Sequence, residues 1–215
     1  MKPDSSYRSE EALGKRSANR ITVAYSGVHP ASQIALAAAE ASLLDEFLCS
    51  LFVTPGKWGG WLARWVGDQT LVNRRCAGLP GDRVREHPWP FLSHRLKLKA
   101  FGAHHEPWTA ANPKFDRWVA ARLASSHSQV FVGYETCARD SFRVAQEKGM
   151  LRLLDVPQVH SAFLIQTLRS AHEELGLPFT GRIDNDEIAA RKDEELRLAD
   201  RILIYSEVHR RSFLE

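Results

Sequence analysis

Short apolar runs alternate with stretches of helical periodicity along most of the chain. The apolar runs predict six strands, at 21–25, 47–53, 83–89, 129–132, 151–154 and 201–205. Amphipathic stretches predict helices at 31–47, 91–101, 113–125, 138–148, 161–175 and 187–200. Strands that alternate with helices in this way are typical of α/β proteins. The pattern therefore predicts a doubly wound parallel sheet, which is a Rossmann-like fold.

The end of the chain, residues 187–215, carries this pattern most clearly, because helix, strand and helix follow one another with almost no loop. Asp184 and Glu187 have the spacing of a capping box at the start of the first of these helices. The run RILIY at 201–205 has the composition of a buried strand in a parallel sheet. Ser206 ends this strand and can cap the helix that follows it. At helical spacing along the first helix stand Ile188, Arg191, Glu195, Leu198 and Ala199.

Length and composition limit the number of domains and the class of protein. With 215 residues, of which 44% are hydrophobic, the chain is long enough for one large α/β domain over residues 20–215. Residues 1–19 are polar and lack periodicity, so we expect a disordered or tag-like arm there. No apolar run is long enough to span a bilayer, which argues against an integral membrane protein. The N-terminus has no apolar signal core, which argues against a secreted protein. Cys49, Cys76 and Cys137 form no close pair and lack metal-ligand spacing, which favours a reducing cytoplasm.

Residues 54–112 interrupt the regular pattern with glycines, tryptophans and basic side chains. Between positions 57 and 101, nine Lys or Arg stand against three Asp or Glu, an excess of six that exceeds the net charge of +3 for the whole chain. Trp58, Trp61 and Trp65 recur at helical spacing in a short amphipathic segment. These side chains either pack a satellite core over the sheet or face an anionic membrane or a lipid-linked substrate, which would place the protein at the inner face of the membrane. No RNA-recognition or helix-turn-helix pattern supports nucleic acid as a partner.

Polar residues follow several of the predicted strands, and parallel strands bring their carboxyl ends to one edge of the sheet, where open α/β folds bind ligands. Glu135 and Asp155 can orient a sugar hydroxyl or act as acid or base, and the alternative is that each only caps the next helix. His160 is a candidate ligand contact, and the alternative is a residue of a helix N-terminus without a catalytic part. The full set at this edge is Ser26, Gly27, His29, Tyr134, Glu135, Thr136, Asp155, His160, Ser206 and Glu207.

Several common motifs are absent from the sequence. Gly27 is the only glycine of the first turn, so the GxGxxG fingerprint of dinucleotide-binding enzymes is missing there. The chain has neither a GxSxG elbow nor a Walker loop. His104, His105 and Glu106 are adjacent on one loop and do not point at one ion, so we predict no metal site. The acidic stretch that begins at Asp184 lacks the oxygen ligand and the glycine that a calcium loop needs.

Two stretches resemble a known family. The segment ELRLADRILIYSEVHRRSFLE, at 195–215, is similar to the end of the N-terminal domain of family 4 (group 1) retaining glycosyltransferases of the GT-B fold. In that family a helix ending in Ala-Asp leads to a strand, a Ser and a helix. The segment VFVGYETCARDSFRVAQEKGMLRLLDVPQVHSA, at 130–162, fits the two preceding strand–helix units. The resemblance covers roughly residues 21–215.

The resemblance implies an acceptor-binding domain that works with a second, C-terminal domain, which binds the nucleotide-sugar donor in this family. We therefore expect an enzyme of hexosyltransferase type that acts on a sugar or lipid-linked acceptor and uses a nucleotide-sugar as co-substrate, without another cofactor. The donor-binding domain is expected beyond residue 215, and the chain alone is expected to transfer no sugar. The cleft facing that domain would be lined by Ser26, Gly27, His29, Tyr134, Glu135, Asp155, His160 and Ser206, with Glu135, Asp155 and His160 as the candidate catalytic residues.

The chain departs from the family pattern at two positions. The first loop of the family often carries a glycine pair that approaches the donor phosphates, whereas SGVHP contains only Gly27. The fourth strand often ends in His-Glu, whereas this chain has Tyr134 followed by Glu135. The alternative to a glycosyltransferase domain is a stand-alone Rossmann-like binding or interaction module without catalysis.

Overall fold

A computed structural model describes residues 20–27, 31–53, 74–101, 111–179 and 186–214. One sheet contains the strands β1 (Ile21–Tyr25), β2 (Leu44–Cys49), β3 (Val84–Glu86), β4 (Val130–Tyr134), β5 (Leu151–Asp155) and β6 (Arg201–Leu203). All neighbouring strands are parallel, and their order is β3-β2-β1-β4-β5-β6. This is the order of a doubly wound Rossmann-like sheet. The predicted fold class is therefore confirmed.

Helices connect the strands and flank the sheet. They are α1 (Ala31–Glu40), α2 (Trp89–Phe101), α3 (Asn112–Ser125), α4 (Arg139–Glu147), α5 (Ser161–Glu174), α6 (Asp186–Leu198) and α7 (Glu207–Arg211). α3 packs against α4, and α4 packs against α6. Within the ranges that the structure describes, no helix is both long and apolar enough to cross a bilayer.

The central strands hold the core. Val23 of β1, Phe131 of β4 and Leu154 of β5 are fully buried, and Phe115 of α3 and Phe142 of α4 pack with them in one hydrophobic cluster. The Phe131 and Phe142 rings meet edge to face at 5.6 Å, an arrangement that the quadrupoles of aromatic rings favour. Strands that are covered on both faces need nearly continuous apolar runs. For this reason the sequence located these strands to within about two residues.

The boundary between the first helix and the second strand differs from the prediction. The helix predicted to reach residue 47 ends at Glu40, and β2 begins at Leu44 rather than at Phe47. The chain turns at Ser42, whose φ of 57° lies in the left-handed region. Phe47 is 3% exposed within β2. Local helix propensity is weak compared with the gain from burying such a side chain in the sheet, so tertiary packing decided the boundary.

Two other strands are shorter than predicted. The strand expected over 83–89 is reduced to Val84–Glu86. The strand expected over 201–205 ends at Leu203, and its first two residues are exposed instead of buried. β6 is the last strand of the sheet and has a neighbour on one side only. An edge position explains why an apolar run typical of a central strand remains accessible here.

Asp200 fixes β6 to β5. Its carboxylate accepts hydrogen bonds from the N–H of Arg152 at 2.8 Å and from Nε and Nη2 of the same arginine at 3.0 and 2.6 Å. The N–H of Asp200 donates to the Arg152 carbonyl at 2.9 Å. Directly after these bonds the register pairs Arg201 with Leu153. The Ala-Asp pattern in the sequence thus sets the register of an edge strand, which has no second neighbour to set it.

We expect Asp200→Asn to lower the free energy of unfolding by about 1 kcal/mol at neutral pH, because the carboxylate that accepts the Arg152 hydrogen bonds loses its charge. This value allows for solvent screening of a partly exposed pair. The Arg152 side chain, and then its N–H, lower the pKa of Asp200 below its ordinary value of 3.8. The carboxylate therefore stabilises the fold above that value, and its contribution disappears as the pH falls through the lower folded pKa.

Urea unfolding at pH 7 and at pH 3 measures both effects. Asp82→Asn is the matched control, because the Asp82 side chain is 79% exposed. Equal losses in the two variants at pH 7 would show that Asp200 does not fix the strand.

Several predicted features lie outside the described residues. These are the arm at 1–19, His29, the segment with Trp58, Trp61 and Trp65, the group His104, His105 and Glu106, and the capping residue Asp184.

Candidate functional site

The carboxyl ends of the strands form the edge at which function was predicted. The strand order reverses between β1 and β4, which are neighbours in the sheet. Open α/β sheets bind ligands in the crevice outside such a switch point. Ser26 follows β1, Tyr134 ends β4, and Asp155 ends β5 as the register partner of Tyr134. The structure therefore brings these predicted site residues together.

Tyr25 and Tyr134 stack at the switch point and are called here the aromatic floor. Their ring centroids are 4.4 Å apart with an interplanar angle of 29°. Burial is the main cause that raises the pKa of both phenols well above the ordinary value, so both stay protonated at neutral pH. A Cβ at Gly27 would come within 2.7 Å of the Tyr25 ring. The single glycine of the first turn thus allows the backbone to approach the aromatic floor closely.

A chain of hydrogen bonds joins the loop after β1 to the loop after β4. Ser26 Oγ donates to Asn112 Oδ1 at 2.7 Å, and Asn112 Nδ2 donates to Thr136 Oγ1 at 2.7 Å. All three side chains are buried. The Ser26 carbonyl also accepts a hydrogen bond from Ser50 Oγ. A primary amide carries an acceptor and a donor side by side, so Asn112 can fix the spacing of the two loops.

Thr136 adopts a backbone conformation that is rare for a β-branched residue. Its φ of 72° lies in the left-handed region, which typically costs about 1–3 kcal/mol for a residue other than glycine. Its N–H donates to Glu195 Oε2 at 2.6 Å, and its carbonyl accepts from Arg191 Nε at 2.9 Å. Two side chains of α6 therefore hold this loop in place. Such strain is often found where a loop must present a side chain in a fixed position.

Asp116, Arg191 and Glu195 form a buried charged cluster, called here the α6 clamp. Arg191 Nη2 pairs with the Asp116 carboxylate, and Arg191 Nε lies 3.3 Å from Glu195 Oε1. Glu195 accepts hydrogen bonds from two backbone N–H groups at the start of α4, at 2.9 and 3.1 Å. Asp116 accepts from the next two, at 2.7 and 3.0 Å. The clamp thus satisfies N–H groups that the first turn of a helix leaves without intrahelical partners.

Burial changes the proton affinity of both carboxyl groups in the α6 clamp. Desolvation raises the pKa of Glu195 to about 8, although its backbone donors and Arg191 act in the opposite direction. Desolvation likewise raises the pKa of Asp116. The single guanidinium of Arg191 lies beside both carboxyl groups. The α6 clamp therefore has no net charge when one of the two carboxyl groups is protonated. Glu195 is the group whose pKa lies near neutral pH.

Glu135 follows β4 and pairs with Lys192 of α6. Glu135 Oε2 lies 3.3 Å from Lys192 Nζ, and the two side chains are only 12% and 9% exposed. The Glu135 N–H donates to the carbonyl of Asp155 at 3.1 Å, which ties the two candidate residues together. The N-cap residue of α4 is Ala138, whose own side chain makes no capping hydrogen bond, and Glu195 and Asp116 accept the N–H groups at the start of the helix. Glu135 is therefore not the cap of the next helix, which was its alternative role.

Asp155 is fully buried and accepts a hydrogen bond from a residue that is half exposed. The hydroxyl oxygen of Tyr205 lies 2.7 Å from Asp155 Oδ1 and 2.6 Å from Oδ2. Asp155 is 0% exposed, whereas Tyr205 is 55% exposed. The N-cap of α5 is His160, so Asp155 does not cap that helix either.

His160 and Ser206 act as helix caps at the same edge. His160 Nδ1 accepts from the N–H two residues further on at 3.3 Å. Ser206 Oγ accepts from the N–H three residues further on at 3.1 Å, which confirms its predicted capping role. Glu207 is exposed and forms ion pairs with Arg210 and Arg211 on its own helix. The geometry gives these residues local structural roles.

The structure adds residues to the edge that the sequence reasoning missed. Arg191 and Glu195 gave a signal, because they stand at helical spacing with Ile188 and Leu198, and charges on an apolar helix face are unusual. The other additional residues had no recognisable pattern in the sequence, because only the fold brings them to the carboxyl ends of the strands. The additional residues are Tyr25, Asn112, Asp116, Arg191, Lys192, Glu195 and Tyr205.

The chain matches no protein-family model and no curated protein. Among the residues that the structure describes, no group of three His, Cys, Asp or Glu could hold a metal ion. At the carboxyl ends of the strands, the carboxyl groups of Glu135 and Asp155 lie on neighbouring strands beside the aromatic floor. Carboxylates accept hydrogen bonds from hydroxyl groups, and aromatic rings line the walls of many ligand pockets.

Proposed function

We propose that residues 20–215 are the acceptor-binding domain of a glycosyltransferase of hexosyltransferase type, which transfers a sugar from a nucleotide-sugar to a hydroxyl group of the acceptor. One observation carries the proposal: Glu135 and Asp155 lie at the carboxyl ends of adjacent strands, beside the aromatic floor and next to the switch point. The sequence resemblance to GT-B glycosyltransferases supports the same assignment.

In this proposal Glu135 orients the attacking hydroxyl group of the acceptor or removes its proton. Lys192 Nζ lies 3.3 Å from the carboxylate and fixes its orientation. The α6 clamp keeps the following residue, Thr136, in its strained conformation and so fixes the direction in which the loop presents Glu135. Positioning of this kind reduces the entropy that is lost when the reacting groups meet.

The resemblance assigns donor binding to a second domain, so this chain alone should bind the acceptor without transferring sugar. The groups that stabilise a departing nucleotide diphosphate would belong to that other domain, and electrostatic stabilisation is usually the largest catalytic contribution. Turnover of a nucleotide-sugar by the 215-residue chain alone would contradict the two-domain proposal.

Saturation-transfer NMR with a panel of mono- and disaccharides tests acceptor binding directly. We expect at least one sugar to bind, and we expect Glu135→Gln to weaken that binding. Glu147→Gln is the matched control, because Glu147 ends α4 and is exposed. If no sugar binds, or if both variants bind equally, the alternative of a non-catalytic interaction module replaces this proposal.

A second contact, with an anionic membrane surface, is proposed for α2. Pro90 and His94 are buried, whereas Trp89 and Leu96 are 68% and 67% exposed. Ser93 and Lys97 are exposed as well, so positions 89, 93, 96 and 97 form one outward stripe at helical spacing. Large apolar side chains beside basic ones are typical of helices that lie on lipid headgroups. The local excess of positive charge supports an anionic surface at the inner face of the membrane.

We expect vesicles that contain phosphatidylserine to bind the protein more tightly than phosphatidylcholine vesicles, with an attraction that weakens as salt is added. Leu96→Glu should reduce this binding at least fivefold, because a single charge near such a surface is worth about 1 kcal/mol and apolar area is lost as well. Leu175→Glu is the matched control, since Leu175 is 71% exposed at the end of α5. Co-sedimentation that is independent of lipid charge would assign α2 to packing within the fold.

A further inference from the structure

Tyr205 is an aromatic residue that is exposed to solvent and yet held in a fixed orientation. It is 55% exposed, whereas Asp155, which accepts the hydrogen bond of its hydroxyl group, is fully buried. The N–H of Tyr205 donates to His209 Nδ1 at 3.3 Å, and its ring stacks on the same histidine with a centroid distance of 6.3 Å and an interplanar angle of 19°. A surface side chain normally keeps its rotamer freedom. The contacts of Tyr205 instead set the direction of its ring before any ligand arrives.

Three further rings lie behind Tyr205 and support it. His209 is 4% exposed, and its ring lies 5.6 Å from that of Phe213, which packs against the hydrophobic core. The ring of His160 meets Phe213 edge to face at 5.3 Å. The N–H of His160 also donates to Ser212 Oγ at 3.0 Å, which joins the start of α5 to the end of α7. Tyr205 is therefore the exposed end of a supported row of four rings.

The hydroxyl group of Tyr205 remains a donor at neutral pH. Burial and then the hydrogen bond to Asp155 raise the pKa of Tyr205 well above its ordinary value of 10. The bond to the buried carboxylate is thus present under all conditions in which the protein would act, and the ring keeps its direction.

Asp155 also connects Tyr205 to the candidate base. The carbonyl of Asp155 accepts the N–H of Glu135 at 3.1 Å, while its carboxylate accepts the Tyr205 hydroxyl. Glu135 follows β4 and Tyr205 follows β6, and β5 lies between these two strands in the sheet. A ligand that lies across the carboxyl end of β5 would therefore have a carboxylate on one side and an exposed aromatic ring on the other.

We propose that Tyr205 is a stacking platform for a pyranose ring of the acceptor. The face of an aromatic ring carries negative potential, and the C–H groups on one face of a pyranose provide the complementary positive edge. A tyrosine that is already fixed offers this contact area at a low cost in conformational entropy. The hydroxyl groups of the stacked sugar then lie on the side of Glu135. The inference rests on the proposed function for the class of ligand and adds the residue that binds the sugar ring.

Nuclear Overhauser transfer tests the stacking in the wild-type protein. Ring-labelled tyrosine is suitable, because the chain contains four tyrosines and Tyr205→Phe identifies the signal of Tyr205. D-glucose, D-galactose and D-mannose are the probes, since their axial hydroxyl groups differ and so do their apolar faces. We expect the ring protons of Tyr205 to transfer magnetisation to carbon-bound protons of at least one sugar, and those protons to shift upfield in the ring current. This measurement does not depend on the stability of any variant.

Affinities of two variants test the role of the ring against that of the hydroxyl group. Tyr205→Leu should weaken sugar binding about tenfold, because the aromatic face is lost. Tyr205→Phe keeps that face and should stay within about threefold of the wild type. Leu175→Ala is the matched control, because Leu175 is 71% exposed at the end of α5 and the change should leave the affinity unaltered. Circular dichroism of each variant confirms that the fold is retained.

The outcomes separate this inference from the proposed function. A sugar that binds without transfer from the Tyr205 ring, or with equal affinity for wild type and Tyr205→Leu, would overturn the platform and leave the proposed function intact. Equal losses in Tyr205→Phe and Tyr205→Leu would assign the effect to the hydroxyl group and also overturn it. Uridine that shifts the Tyr205 ring signals more than any sugar would assign the ring to the donor instead of the acceptor. Absence of binding of every sugar to the wild type would overturn both proposals.

Discussion

Glu195→Ala should lower the free energy of unfolding by about 3–5 kcal/mol, because the buried hydrogen-bond donors that Glu195 satisfies lose their acceptor. The change removes the acceptor of three backbone N–H groups, those of Thr136 and of two residues at the start of α4. Buried donors without partners cost about 1–3 kcal/mol each. For a domain of this size the melting temperature should fall by roughly 10 °C.

Glu194→Ala is the matched control for this prediction. Glu194 is the neighbouring residue on α6 and pairs with Arg143 at the surface, where its side chain is 29% exposed. Exposed ion pairs contribute at most about 1 kcal/mol, so this variant should remain close to the wild type. Equal melting temperatures for the two variants would contradict the role assigned to the α6 clamp.

Glu195 should also make the free energy of unfolding depend on pH. Because desolvation raises the pKa of Glu195 to about 8, the folded state holds a proton that the unfolded state releases above about 4.5. The contribution of this group is therefore complete below the unfolded value and is lost as the pH rises through the folded value. Glu195→Gln cannot titrate, so the difference in unfolding free energy between wild type and this variant should shrink between pH 5 and pH 8.5.

Glu135→Gln is expected to lower kcat/KM at least tenfold in an enzyme that carries this domain together with a donor-binding domain. A tenfold loss corresponds to about 1.4 kcal/mol of transition-state stabilisation. Glutamine keeps the shape of the side chain but cannot accept a proton from the acceptor hydroxyl. The structure adds a stability cost to this expectation, because the negative charge beside Lys192 is lost as well.

Rate and stability must therefore be measured on the same protein. Glu147→Gln makes the same chemical change at an exposed position and should alter neither quantity. A Glu135→Gln enzyme that is less stable but fully active would assign Glu135 to the ion pair alone and would remove the catalytic proposal.

The position of the candidate site could be predicted from the sequence in part. Ser26, Tyr134, Glu135 and Asp155 follow predicted strands, and the parallel sheet does bring them to one edge. Their partners could not be read in the same way. Tyr205 was assigned to a buried strand, yet it lies beyond the end of β6 and contacts Asp155 across the edge. Asn112 stands at the start of α3 without any local pattern that relates it to Ser26.

The sequence by itself determined the fold class and the approximate place of each strand, because continuous apolar runs and helical periodicity report how each segment meets the core. It also determined the capping role of Ser206, which depends on local backbone geometry alone. Only the tertiary structure decided the end of α1, the edge position of β6 and the partners of the buried charges. Those features depend on contacts between segments far apart in the chain, such as the ion pair of Asp116 with Arg191. Local propensity carries no information about the energies of such contacts.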